Sequence, residues 1–378
     1  MNREELRGLV LRSLRKQGFR MRSGSLIGPN TADKAALRRL HETAVAHKIE
    51  RSAPGLRSRE QRLLGYIAAG SDVRPDAISP RLIEVKPDSE EELLFRYVAL
   101  HWSIPTSSGY GRRLRFIVLD DHNKKLIGLI GLCDPVFSLR VRDEWIGWDH
   151  NARRTQLRNV IDAFVLGAVP PYSMLLCGKL VAMLACSTEV RDRFRRKYSN
   201  TKSIIRRAEP DARIALLTTM SALGRSSIYN RLTFGDRHLL HSVGFSQGSG
   251  EFHFSNGLYS SLFDYVTRYS EPTAKQEKWG EGFRNRREVI RKALIKLKLS
   301  SELIYHGIQR EVFVAPLASN AREFLRGEHR KLHWYDQDCT QLVEHFRSRW
   351  LSRRVAWDTS YQHFDPETFR LWPPRGEK

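Results

Sequence analysis

Two apolar runs, Leu114 to Leu119 and Leu126 to Leu132, stand either side of the polar stretch Asp120-Asp121-His122-Asn123-Lys124. Apolar runs of this length around a turn-forming segment predict a β-hairpin. Directly beyond it lies Arg142-Asp143-Glu144-Trp145-Ile146-Gly147-Trp148-Asp149. Tryptophans, acids and an arginine this close together are costly to leave idle in a loop. They serve either as a site or as an internal lock for whatever the hairpin packs against.

The rest of the chain divides around that hairpin. Residues 1 to about 66 carry apolar residues at helical spacing, over Glu4 to Gln17 and Asp33 to Ser52, with a break between them. After a second break, Arg81 to Val85 predicts a strand or lead-in. Ser89 to about His101 predicts a helix whose acidic first turn suits the positive end of its dipole. Asn159 to Ala168 predicts a buried strand stopped by Pro170-Pro171. Tyr172 to Ala185 predicts an apolar helix, Glu189 to Tyr198 a charged one, and Arg213 to Thr219 a strand. Asp236 to Val243 predicts a further helix and Glu251 to Phe254 a short final strand; beyond 285 the chain is helical, with Glu311 to Ala315 as a strand. The expectation is an α/β (α+β) protein: a central mixed, largely antiparallel sheet in residues 89–270, flanked by an N-terminal helical region, 1–88, and a mainly helical C-terminal region, 271–378.

Charge narrows the partners. The formal net charge is +22, and it is spread as +7 over residues 1–90, +9 over 91–270 and +6 over 271–378. A positive charge present in every part favours a polyanion, because neutralising phosphates releases counterions. No apolar run approaches the roughly 18 residues that a membrane span needs, and no signal or lipidation pattern is seen, so no membrane partner is expected. Cys133, Cys177, Cys186 and Cys339 are scattered without metal-ligand spacing, which fits reduced thiols in a cytoplasmic protein better than zinc or disulfides.

Three segments carry candidate chemistry. Asp143 and Asp149 are acids beside aromatic platforms, suited to catalysis or to gripping an unstacked base; equally, Arg142 and Asp143 can form a structural ion pair over core tryptophans. Arg191, Arg193, Arg195, Arg196 and Lys197, interleaved with Phe194 and Tyr198 and followed by Lys202, Arg206 and Arg207, suit phosphate contact and base stacking, against the alternative of a solvated helix face. Arg225, Tyr229 and Asn230, just past the strand that carries Thr218 and Thr219, suit a ligand site at a strand end, where Ser226 or Ser227 can also act as a helix cap. The Gly244 to Gly250 turn could cradle phosphate or simply be tight. Asp120, Asp121, Asp134 and Asp143 are the acids that a metal-dependent nuclease would need to converge. The sequence has no Gly-x-x-x-x-Gly-Lys-Ser/Thr, no His-Glu-x-x-His, no nucleophile elbow and no dinucleotide fingerprint. No metal or cofactor is therefore evident; acyl-coenzyme A and Mg2+ are the two that the remaining readings would admit.

The segments GYGRRLRFIVLDD, LIGLIGL, RDEWIGWD, DAFVLGAVPPY, LLCGKLVAMLA, ALGRSSIYNRL, VGFSQGSG and IYHGIQREVFVAPLASN together resemble the DruA family of Druantia anti-phage defence systems, over about residues 80 to 320. The resemblance implies an antiviral role beside a large helicase-like partner. A second resemblance, of element order, is to GNAT acyltransferases, which would grip a coenzyme A pyrophosphate before the apolar helix. Here Tyr172 to Lys179 lacks the spaced glycines of that grip. The expectation is a DNA-interacting component of a defence complex; the alternatives are a GNAT-like DNA-modifying enzyme or metal-dependent nuclease, and a non-catalytic scaffold.

Overall fold

The protein is described here by a computed structural model covering residues 1–28, 30, 33–200, 212–248, 250–273 and 282–373. Its strands are β1 (Arg20–Arg22), β2 (Ser25–Ile27), β3 (Pro80–Glu84), β4 (Arg113–Asp120), β5 (Lys125–Cys133), β6 (Val160–Ala168), β7 (Leu216–Met220), β8 (Thr233–Phe234), β9 (Arg237–His238), β10 (His241–Phe245) and β11 (Glu311–Pro316). Seven of them form one sheet in the order β10-β11-β7-β6-β5-β4-β3. Every neighbouring pair is antiparallel except β6 and β7. That parallel pair needs a crossover, which the helices Cys177–Leu184 and Thr188–Tyr198 supply.

The predicted hairpin is β4 and β5, with Asp120 paired to Lys125. Asp120 is fully buried at the turn and accepts from the backbone amides of Ser79 and His122 and from the Tyr172 hydroxyl, at 2.8, 3.1 and 2.8 Å. The carboxylate is thus a turn fastener. The helix Glu90–Val98 begins where the acidic run predicts, with the Ser89 hydroxyl accepting from the Glu92 amide at 3.2 Å.

Two elements depart from their predicted type. Asp236 to Val243 is not a helix but holds β9 and the start of β10, and Glu251 to Phe254 is not a strand but leads into the single turn Phe252–Phe254. Leu239, Leu240 and Val243 have helical spacing, yet β10 is drawn into the sheet by pairing with β11, some seventy residues later. The apolar helix is also shorter than its hydrophobic run: it starts at Cys177, and residues 172–176 form a tight turn.

The apolar side chains gather into clusters on both sides of the sheet. One face packs Phe116, Ile130 and Ile161 against the buried helix Cys177–Leu184 and against Phe194 and Phe346. On the other face, Ile117 and Leu129 meet Leu64, Tyr97 and Trp372. Farther along that face, Val160, Leu216 and Val314 meet Ile146, Trp148 and Phe324. A further cluster joins Leu6, Leu14 and Leu37 to Leu258, Val289 and Leu294, so packing crosses the sequence boundaries near 88 and 270.

Candidate nucleic-acid interface

At one end of the sheet, β4 starts, β5 finishes and β6 starts. Cross-strand pairs place Arg113 opposite Cys133, Cys133 opposite Asp162 and Asp162 opposite Thr218. Residues in one such row project from the same face. A guanidinium, a thiol, a carboxyl and a hydroxyl are therefore lined up across four strands. Thr218 Oγ1 donates to Asp162 at 2.7 Å, while burial pushes the Asp162 pKa up to about 6 against the opposing pull of Thr218 and Arg142. Burial likewise pushes the Cys133 thiol up to about 12, so it is a thiol and not a nucleophilic thiolate near neutral pH.

The loop before β4 lies directly on this row. Gly109 and Gly111 have φ of +70° and +63°, and a Cβ on Gly109 would sit 3.0 Å from Cys133 Cβ and from the Phe164 ring. A Cβ on Gly111 would sit 2.1 Å from Asp134 Oδ2. Only glycine permits that approach. Between them, Tyr110 is 48% exposed, yet burial of its hydroxyl near Cys133, Asp162 and Asp134 raises its pKa.

The Trp-rich segment holds the next loop in place. Arg142 is fully buried; it donates to Asp143 at 2.6 and 2.8 Å, to the Val136 carbonyl at 2.9 Å and to the Phe137 carbonyl at 3.2 Å. Asp143 also receives Arg153 Nη1 at 3.1 Å and the Leu139 amide at 3.2 Å. Asp149 caps the helix His150–Gln156 by accepting from the Ala152 amide at 2.7 Å. Trp148 is buried beside Arg142. Both acids have structural partners, and the loop that Arg142 and Asp143 secure displays Val136 and Phe137, 44% and 50% exposed.

The basic helix Thr188–Tyr198 is sorted by its packing. Val190 and Phe194 are buried, and the Tyr198 hydroxyl donates to the Arg113 carbonyl at 2.6 Å and accepts from the Arg113 amide at 2.7 Å. Phe194 is not free to stack on a base, contrary to the sequence expectation, and Tyr198 is half-buried with its hydroxyl engaged, because the apolar side of an amphipathic helix is what the sheet buries. Arg191 lies over the Trp334 ring at 4.6 Å and reaches the Tyr335 carbonyl. Lys197 bonds Glu84 at 2.9 Å, with Arg193 at 3.7 Å from the same carboxylate. Arg193, Arg195 and Arg196 are exposed along the outer face. Lys202, Arg206 and Arg207 lie outside the described residues.

The third segment does not form an open site with Tyr229 in it. Tyr229 is 8% exposed, edge-on to Phe313, and its hydroxyl donates to the Leu166 carbonyl at 3.3 Å. Asn230 is tied to the Ser226 carbonyl and to Glu311, a buried carboxylate that also receives the Ser226 amide and the Ser242 hydroxyl. Arg225 is exposed and borders Phe245. The Gly-rich turn closes on the backbone: a Cβ on Gly248 would sit 2.6 Å from the Gly307 carbonyl carbon, and the Gly307 amide donates to Gly248.

The family described as Druantia protein DruA matches residues 31–327. The chain is also 40% identical to the Druantia protein DruA of Escherichia coli (strain UMEA 4076-1), across 98% of this chain and 90% of that protein. The chain belongs to the Druantia DruA family. It is thereby a component of an anti-phage defence system, and the match begins some fifty residues before the region, from about residue 80, given for the sequence resemblance. No solved structure matches the chain.

In this DruA family member the turn before the apolar helix does not fit a coenzyme pyrophosphate. The amides of Ser173, Met174, Leu175, Leu176 and Cys177 are each spent on carbonyls within the turn, so they cannot meet an anion. The acids considered for a nuclease do not converge either. Asp120 holds the hairpin turn, Asp121 pairs with Arg81 and Lys124, and Asp134 pairs with Arg112. Among the described residues no group of three metal-ligating side chains gathers, and no helix is long and apolar enough to cross a membrane. The row Arg113, Cys133, Asp162, Thr218 and the exposed Tyr110 and Phe137 escaped the sequence reading as site residues. The available signal was a lone aspartate, Asp162, inside an otherwise apolar strand.

Proposed function

We propose that this DruA family member is a DNA-contacting component of its defence complex, acting in the cytoplasm beside a helicase-like partner that supplies ATP-driven movement. The observation that supports it is the outer face of the helix Thr188–Tyr198. Arg193, Arg195 and Arg196 project from a helix whose other side is pinned by Phe194 in the core and by Tyr198 to β4. Cations fixed on a rigid element gain counterion release on meeting phosphates and lose little side-chain backing in doing so. With Arg193, Arg195 and Arg196 all changed to glutamate, DNA binding and phage protection should be lost while thermal melting stays near wild type. A milder triple change to glutamine should lower the slope of log affinity on log salt by about three. Unaltered, salt-insensitive binding by the glutamate variant would remove the proposal. A chain that binds only partner proteins and no DNA would point to a scaffold instead.

A second reading, DNA modification or cleavage, moves from Asp143 and Asp149 to Asp162. Asp162 combines a raised pKa with a place in a row of polar side chains, the environment that suits a proton-transferring carboxyl. The parallel pair β6 and β7 with its helical crossover is the element of the topology that supports a GNAT-like order. A coenzyme A cosubstrate is not part of this reading, since the turn does not fit one.

A further inference from the structure

We infer that Tyr110 and Phe137 form a stacking platform for unpaired bases, so that the strand held at this end of the sheet is single-stranded nucleic acid. The inference rests on the nucleic-acid reading above and names the form of ligand it takes.

Three observations carry it. First, two exposed aromatic side chains sit on secured loops that meet at one backbone junction. Tyr110 is 48% exposed and Phe137 50% exposed, although each loop is rigidly fastened, the first by two glycines pressed on the sheet and the second by the Arg142 lock. The Asp134 amide donates to the Tyr110 carbonyl at 3.2 Å. Three residues of chain span at most about 11 Å, so Phe137 cannot lie far from that junction. Exposed rings gathered near one junction mark a contact surface, unlike rings scattered singly.

Second, the rings are set among cations. Arg153 lies 4.8 Å over the Phe137 ring. Arg113, in the row beneath Tyr110, is exposed, with its Cδ 3.4 Å from where a Gly109 Cβ would be. Arg112 and Arg158 are joined through the Arg112 bond to the Arg158 carbonyl. Arg153 and Arg112 are paired with Asp143 and Asp134, which leaves the exposed Arg113 and Arg158 as the cations a phosphodiester backbone would meet.

Third, the platform is continuous with the basic helix. Tyr198 ends that helix and bonds both backbone groups of Arg113, and Arg112 stacks over Phe194 at 4.9 Å. A strand laid along Arg193, Arg195 and Arg196 would be led to Tyr110. A duplex keeps its base faces stacked inside, where surface rings cannot reach them, whereas a single strand offers every base a face for stacking.

The test compares fluorescence anisotropy of labelled oligo(dT) with that of a duplex of equal length, using the full chain. With Tyr110 and Phe137 both changed to leucine, affinity for oligo(dT) should fall about tenfold or more while duplex affinity holds. Tyr110→Phe should bind as wild type, because the ring face survives. If the double variant melts early, Phe137→Leu alone gives the reading, since half of that side chain already lies in water. Wild-type oligo(dT) affinity in the leucine variants, or an equal loss for both ligands, overturns the platform. In either case a glutamate variant of the basic helix that still loses binding would leave the DNA interface standing. A wild-type chain that binds neither ligand removes both proposals.

Discussion

At the scale of single residues, Asp162 is the most informative side chain. Its pKa is raised from the ordinary aspartate value of 3.8 to about 6 because burial disfavours the carboxylate. The sign of its effect on stability follows. A group that binds its proton more tightly in the folded state adds stability below pH 4, and that stability is lost as pH rises through about 6. At pH 7 the protein carries an ionised carboxylate that its surroundings oppose. Asp162→Asn keeps an acceptor for Thr218 and should raise stability by about 1 to 2 kcal/mol at pH 7, with the gain vanishing near pH 4. Denaturant titrations at the two pH values measure it. If the same variant abolishes phage protection, a more stable protein that has lost function marks Asp162 as a working group.

At the scale of elements, the segment Arg142 to Asp149 shows how chemistry-bearing residues become architecture. The Arg142 guanidinium has no exposure, and it ties the helix Arg140–Ile146 to the carbonyls of the preceding loop. Removing it strands Asp143 with Arg153 as its remaining charged partner and frees two carbonyls. Arg142→Met should therefore cost about 3 kcal/mol, read as a lowered denaturation midpoint, and should loosen the loop that carries Phe137. The basic helix behaves in the complementary way. Alternation of arginines with Phe194 and Tyr198 was legible in the sequence as a candidate interface; which side faces water was not. That choice depends on the sheet, which takes up Phe194 and leaves Arg195 and Arg196 outside.

At the scale of the whole molecule, the N-terminal helices meet residues 252–310 over a histidine-rich seam. His41, on the helix Lys34–Leu56, lies tilted against the Phe252 ring and 3.5 Å from Arg310, while His253 bonds the Leu303 carbonyl. Burial lowers their pKa values from 6.5 to about 3 and about 4; Arg310 and His253 add to the effect at His41. Both are neutral when folded, so their contribution is complete above pH 6.5 and is lost as pH falls toward 4. Each histidine can remove up to about 1.4 kcal/mol per pH unit. Asp162 acts in the opposite direction over part of that range. Urea midpoints should therefore drop steeply between pH 6 and 4, and His41→Leu should flatten the profile. An unchanged slope in that variant would place the acid sensitivity elsewhere.

The local pattern of the chain determined its local elements. The hairpin of β4 and β5, the buried strand β6, the acid-capped helix Glu90–Val98 and the strand β11 each follow from runs of apolar residues and the turn or cap residues beside them. The ordered motifs were enough to identify the Druantia resemblance. Tertiary structure alone decided how the elements combine. It set β11 between β7 and β10, converted Asp236 to Val243 from an expected helix into strand, buried Tyr229 and brought Leu6 into one core with Leu294. It also set Asp162 against Thr218, 56 residues apart, and left Tyr110 and Phe137 exposed. The physical reason is that hydrophobic periodicity reports which face of a segment leaves water, while cross-strand register and the choice of neighbour are fixed only when distant segments pack together.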